Sequence, residues 1–174
     1  MKVINVSELE KIAGELRAGD TVSLSGTVYT ARDAAHKRIV AMLDKGEKPP
    51  FEIEGAVVYY AGPTPAKNGL AVGSCGPTTS SRMNPFAPIM LDAGMVGIIG
   101  KGQMSDEVRE SLRAHGAVYF CAVGGAGALA AKAIKKCEVV AFDDLGCESV
   151  KRMKVENFSL IVGIDAKGNS IFDR

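Results

Sequence analysis

Apolar and polar positions change period several times along this chain, and each change marks an element. Leu9, Ile12, Ala13 and Leu16 fall at helical spacing behind the capping-box pair Ser7 and Glu10, which predicts a helix over residues 7–17. "TVSLSGTVYT" alternates like a half-buried strand, and "ARDAAHKRIVAMLDKG" returns to a helical period that stops at Gly46, with Arg32 at the joint. Beyond the Pro-rich "EKPPFEIEG", the runs "AVVYYAG", "GLAVGSCG" and "MVGIIGKG" predict strands, the last after a helical stretch around "PFAPIMLDAG". "SDEVRESLRAHG" predicts a helix capped by Ser105, "AVYFCAV" a buried strand, "GALAAKAIKK" a helix and "CEVVAF" a strand. The tail "FSLIVGIDAKGNSIFDR" predicts a closing hairpin that turns between Asp165 and Asn169, and no internal repeat is evident. Strands alternating with helices indicate an α/β chain, in which ligands bind at strand ends. Glycines and polar residues collect at such ends, in "YTARD", "AGPTP", "GSCGPTTSSR", "IGKG", "AVGGAG" and "FDDLG".

Composition narrows what those ends can serve. A chain of 174 residues with 47% hydrophobic content has enough apolar material for one core, so one domain over residues 1–174 is expected. The formal net charge is +1 and the basic residues are dispersed, which gives neither a nucleic-acid groove nor a membrane surface but leaves a small or acidic ligand open. Cys75, Cys121, Cys137 and Cys147 lie far apart with no CxxC pair, a poor pattern for a metal or iron–sulfur cage built from this chain. The segment "MKVINVSELEKIAGELRAGD" lacks the apolar stretch of a signal peptide, and no run is long enough to span a bilayer, so a reducing cytoplasm is expected.

The stretch "GPTTSSRM", residues 76–83, puts four hydroxyl side chains beside Arg82. Its hydroxyls and free backbone N–H groups, at a helix start, suit carboxylate or phosphate oxygens, and Arg82 adds a planar fork; a capped polar turn whose arginine pairs with a surface acid is the plain alternative. Arg32 and Lys101, the latter flanked by Gly100 and Gly102, each follow an apolar strand-like run. Three cations at three strand ends suit a ligand with two carboxylates.

A competing reading comes from "GGAGALA", where Gly125, Gly127 and Ala130 match a dinucleotide fingerprint and Asp143 or Asp144 stands where a ribose-binding acid would. Too little chain follows to complete a dinucleotide-binding sheet, so these glycines are read as helix–strand packing. His36 lies one turn beyond Arg32 and is read as a surface or capping residue; His115 suits a helix C-terminus.

Taken in order, "TARDAAHKR", "YYAGPTP", "GPTTSSRM", "GKG", "GGAGAL" and "DDLGCES" resemble the C-terminal domain or separate beta subunit of class I fumarate hydratases, which is similar to the L(+)-tartrate dehydratase beta subunit. The resemblance covers nearly the whole chain. It implies a single three-layer swivelling β/β/α domain, as in the mobile domain of aconitase-like hydro-lyases, closing over a [4Fe–4S] cluster bound by a partner alpha subunit and not by this chain. It also implies fumarate–malate interconversion in the tricarboxylic acid cycle and a hetero-oligomer, with a dimer of heterodimers among the open arrangements. Arg32, Thr78, Arg82 and Lys101 would bind the dicarboxylate, with Thr78 as base or proton relay and Lys101 assisting. Departures from the family pattern are the serine pair Ser80 and Ser81, where many members have a smaller residue before the arginine, and Val150 and Lys151, where an aromatic is frequent. Tartrate dehydration stays open beside fumarate hydration, as does a non-catalytic anion-binding module.

Overall fold

The alternating run at residues 21–30 becomes the strand around which the rest is arranged. In the computed structural model, which describes residues 1–67, 69–122 and 127–173, β2 (Thr21–Thr30) pairs in parallel with β1 (Lys2–Asn5) near its start and β3 (Val57–Tyr59) near its end. Its other edge runs antiparallel to β7 (Val150–Ile164). β4 (Gly97–Gly100) and β5 (Val118–Ala122) continue the parallel series from β3, and β5 returns to β7. The pairings β2–β3–β4–β5–β7 therefore close on themselves, and β6 (Ile134–Ala141) adds to β7 to complete a seven-stranded sheet. Helices α1 (Leu9–Ile12), α2 (Asp33–Asp44), α3 (Ala87–Asp92), α4 (Asp106–His115) and α5 (Gly127–Ala133) complete the mixed α/β architecture.

Period-two alternation sorts the strand side chains into two cores. Val57, Tyr59, Ile99, Val118 and Phe120 join Val22, Leu24, Val28, Leu160 and Val162 in one apolar cluster. Their strand neighbours Val58, Tyr60, Ile98 and Tyr119 belong to a second, packed with Ile39 of α2, Met90 and Leu91 of α3, and Val108 and Leu112 of α4. β3, β4 and β5 are thus buried on both faces, which explains their near-continuous hydrophobic runs.

Several predicted boundaries move. The opening segment has its N-cap at Asn5, whose side chain accepts the Ser7 N–H at 3.0 Å, and it divides into a 3-10 turn, the four residues of α1 and a second 3-10 turn. "GLAVGSCG" is not a strand among the described residues: its backbone bonds back to the preceding Thr64, whose N–H donates to Ser74 O and whose carbonyl accepts the Gly73 N–H, while Val72 and Cys75 still reach the core. The helix of "GALAAKAIKK" stops at Ala133, and the strand of "CEVVAF" begins earlier, at Ile134. The tail turns at the predicted place, with Asp165 N–H donating to Asn169 O at 2.9 Å, but its returning arm makes only an isolated bridge between Ile164 and Ser170. The Ser105 cap is as expected, its hydroxyl accepting the Val108 N–H.

Candidate functional site

Parallel pairing of β2, β3 and β4 brings their C-terminal ends side by side, and the loops leaving those ends hold the candidate residues. Ala31 N–H bonds to Tyr59 O and Tyr60 N–H to Ile99 O, so the three strand ends are stitched together beyond the last ladder residues. Arg32 leaves β2 as the N-cap of α2, and Lys101 leaves β4. Residues 76–83 have no strand of their own; they lie across the neighbouring ends. Pro77 bridges Ala61, Thr78 N–H donates to Tyr60 O at 2.8 Å, and Thr79 pairs with Lys101. A 3-10 turn at Ser80–Met83 then turns the chain and presents Arg82.

Two carboxylates hold the arginines. Arg82 Nε lies 3.1 Å from Asp33 Oδ2, and Arg32 Nε lies 3.8 Å from Glu148 Oε1. Because Asp33 follows Arg32 on α2, the first ion pair ties the 76–83 loop to the start of that helix. The surface-acid partner of the plain alternative thus exists, and it sits inside the site. Lys101 is exposed, and no ion pair among the described residues includes it. Arg32 Nε is a buried donor without a hydrogen-bond partner among the described residues, free for an anionic ligand, whereas the likewise unpaired Asp33 Oδ1 can only accept. Gly62 closes one side: a Cβ there would stand 2.9 Å from Cys147 O and 3.4 Å from Arg32 Cδ, so only glycine lets the 61–63 loop approach this closely.

The four consecutive hydroxyls do not act alike. Thr78 is half-buried, Thr79 and Ser81 are exposed, and Ser80 is fully buried. His36 is a correction: it is wholly buried rather than at the surface, with Nδ1 2.9 Å from Arg32 O. It stacks on Phe86 and meets Tyr60 edge-on. Burial drives its pKa down to about 4, against the opposing pull of the Arg32 carbonyl and the Asp33 charge, so the ring is neutral near pH 7 and donates through Nδ1. His115 ends α4 as expected, bonded to Ser111 O and facing Asp92.

The dinucleotide fingerprint finds little support in the parts that are described. Gly125 lies outside the described residues. Gly127 opens α5 against the 74–76 loop, where a Cβ would stand 2.7 Å from Ser74 Oγ, and Asp144 is engaged by both terminal nitrogens of Arg38. Cys75 is buried, Cys121 and Cys137 are half-buried and Cys147 is exposed. Among the described residues no three His, Cys, Asp or Glu groups converge in a way that could hold a metal. Among the described residues the donor set does not fit an iron–sulfur cluster. No helix among the described residues is long and apolar enough to cross a membrane.

Comparison with known proteins bears on this layout of strand-end cations. A family model described as Fumarase C-terminus matches residues 1–174. The chain belongs to the fumarase C-terminus family. Among its relatives, mitochondrial fumarate hydratase 1 of Leishmania major is 41% identical over 155 residues, spanning 88% of this chain and 28% of that protein. The aerobic class I fumarate hydratase of Escherichia coli K12 is 36% identical over 155 residues, again 28% of its own length. A Methanocaldococcus jannaschii protein with the provisional name L(+)-tartrate dehydratase subunit beta is 41% identical over 170 residues, covering 94% of this chain and 87% of the relative. This family member thus spans less than a third of either fumarate hydratase but most of the Methanocaldococcus jannaschii protein.

Sequence reasoning singled out Arg32, Thr78, Arg82 and Lys101: Arg32 and Lys101 follow strand ends, and Thr78 and Arg82 lie on the loop bonded across neighbouring ends. It missed Asp33, Glu148 and Tyr119, and it noted Ser80 only as a departure from the family pattern. Asp33 carried a signal, since an acid beside the first arginine of "ARDAAH" falls in the first turn of a helix. The other three depend on contacts distant in sequence.

Proposed function

We propose that this chain is the beta-subunit-type component of a hydro-lyase that interconverts fumarate and L-malate. The observation that carries the reading is that Arg32 and Lys101 leave the ends of β2 and β4, which are joined through β3, while the loop bearing Thr78 and Arg82 is bonded across the ends of β3 and β4. A dicarboxylate offers two charged groups to three cations, and the planar guanidinium groups can bind carboxylates through paired hydrogen bonds. Family membership and the fumarate hydratase relatives support the choice of substrate. L(+)-tartrate is the second reading, favoured by the relative that this chain covers at 87% of its length.

In this proposal residues 1–174 act as one three-layer swivelling domain in the cytoplasm, paired with an alpha subunit that holds the [4Fe–4S] cluster. The cluster would supply Lewis-acid binding of a substrate oxygen. Within this chain, Arg32 and Arg82 orient the substrate carboxylates. Lys101 stabilises negative charge that accumulates on a carboxylate as the carbon–hydrogen bond is made or broken. Thr78, tethered by its backbone to Tyr60 O, moves the proton at that carbon as base or as relay.

Hydrogen exchange in the assembled enzyme tests the binding assignment. Amides around Arg32, residues 78–82 and Lys101 should exchange more slowly when malate is added. Unchanged exchange in all three segments would sink it.

A further inference from the structure

Of the four hydroxyls at residues 78–81, only Ser80 is turned fully inward, and its bonds converge on one neighbour. Its backbone N–H donates to Lys101 O at 3.0 Å, and its Oγ accepts the Lys101 N–H at 2.9 Å. One serine therefore holds both the amide and the carbonyl of Lys101. Tyr119, equally buried on β5, places its phenol oxygen 2.8 Å from Ser80 Oγ and 2.7 Å from Gly102 O. A phenol has a single proton and a carbonyl can only accept, so Tyr119 donates to Gly102 O and the Ser80 hydroxyl donates to Tyr119. The result is a closed chain from Lys101 N–H through Ser80 and Tyr119 to Gly102 O, with each hydroxyl proton in use.

We propose that Ser80 and Tyr119 are positioning residues for the reaction, fixing the root of Lys101 and its register against Thr78 and Arg82. The inference rests on the dicarboxylate reading given above. The Lys101 side chain is exposed, and no ion pair among the described residues includes it, so the location of its ammonium depends on where its backbone is held. Ser80 lies between Thr78 and Arg82, so the same bonds set the distance between the 76–83 loop and the lysine. The packing leaves no slack: a Cβ on Gly100 would stand 1.9 Å from Ser80 Oγ and 3.3 Å from Tyr119 Cε1. Misplacing a charge-stabilising group by about 1 Å can cost on the order of 10²-fold in rate. Neither residue touches the ligand in this scheme; both act through Lys101.

The test uses two readouts. In the chain itself, amide exchange followed by NMR should be about tenfold or more faster at Lys101 in Ser80→Ala, while Ile98 in the middle of β4 is unaffected. In the assembled, cluster-loaded enzyme, Ser80→Ala and Tyr119→Phe should each lower kcat about tenfold or more with little change in KM, because Lys101 acts mainly on the transition state. The double variant should be little worse than Ser80→Ala alone, since both residues act through one chain of bonds. Unchanged Lys101 exchange in Ser80→Ala, or faster exchange with unchanged kcat, would overturn the positioning role. Should Ser80→Ala fail to fold, Tyr119→Phe decides, and a retained kcat there overturns the proposal. A loaded wild-type enzyme that turns over neither fumarate nor tartrate would overturn the proposed function and the positioning role with it; an active wild type beside unaffected variants would overturn the positioning role alone.

Discussion

Replacing His36 with asparagine should flatten part of the acid dependence of stability. The imidazole is enclosed by Phe86 and Tyr60, its Nδ1–H is spent on Arg32 O, and its Nε2 is buried without a partner among the described residues. Protonation at Nε2 would place a charge among aromatic rings, with Asp33 as the opposing charge that offsets part of the cost. The drop from the ordinary 6.5 to about 4 corresponds to about 3 kcal/mol of preference for the neutral ring in the folded chain. Between these pH values the unfolded chain binds a proton that the folded chain refuses. The contribution is therefore fully present above about pH 6.5, declines as pH falls through the window and levels off below about pH 4. Asparagine does not titrate and still offers an amide N–H to Arg32 O. Urea unfolding of wild type and His36→Asn at several pH values from neutrality to pH 4 gives the difference directly, because carboxylates common to both chains cancel. Wild type should lose about 3 kcal/mol relative to the variant across that range. A difference that stays constant with pH would refute the burial argument.

Two further predictions concern the site loops. Gly100→Ala drives a methyl group onto the Ser80 hydroxyl, and overpacking with loss of a buried hydrogen bond should lower stability by about 2–4 kcal/mol, read as a drop in Tm on the order of 5–10 °C; an unchanged Tm would show that the Ser80 packing is looser than described. Arg82→Lys keeps the charge but loses the fork that reaches both Asp33 and a carboxylate, so kcat/KM in the assembled enzyme should fall by an amount worth about 2–4 kcal/mol; near-normal kcat/KM would remove Arg82 from the binding set.

What could be read from the sequence follows where each element gets its stability. β2 was legible to its last residue because alternation over residues 21–30 reflects a strand with a partner on both edges. α4 was legible because Ser105, Gly116 and an amphipathic face agree. β1 was not, since four residues with Val3 exposed carry no period of their own and are held by pairing with β2. The first half of β7 hid for a related reason: Lys151, Arg152 and Lys154 look like a charged loop, yet Val150, Met153 and Val155 reach the cores and β2 and β6 fill both edges. "GLAVGSCG" misled in the opposite direction, because Val72 and Cys75 are buried from a loop that bonds back to Thr64 rather than from a strand, and Leu70 is exposed. At the site, cations after strand-like runs were visible as a pattern, whereas Glu148, Ser80 and Tyr119 act through contacts that composition does not register. His36 was read as a surface or capping residue because a helix start is normally solvated, and here Phe86 and Tyr60 cover it.

Turnover by the reconstituted pair tests the central claim most directly. The chain alone, and the chain with its alpha subunit and a restored cluster, would be assayed for fumarate hydration and L(+)-tartrate dehydration, with Thr78→Ala and Thr79→Ala carried in parallel. The account predicts no turnover by the chain alone and turnover of a dicarboxylate by the pair. Thr78→Ala should lose about 10²-fold or more in kcat with little change in KM, and Thr79→Ala should be much milder. A loaded pair that turns over neither substrate, or a Thr78→Ala enzyme with near-normal kcat, would contradict it.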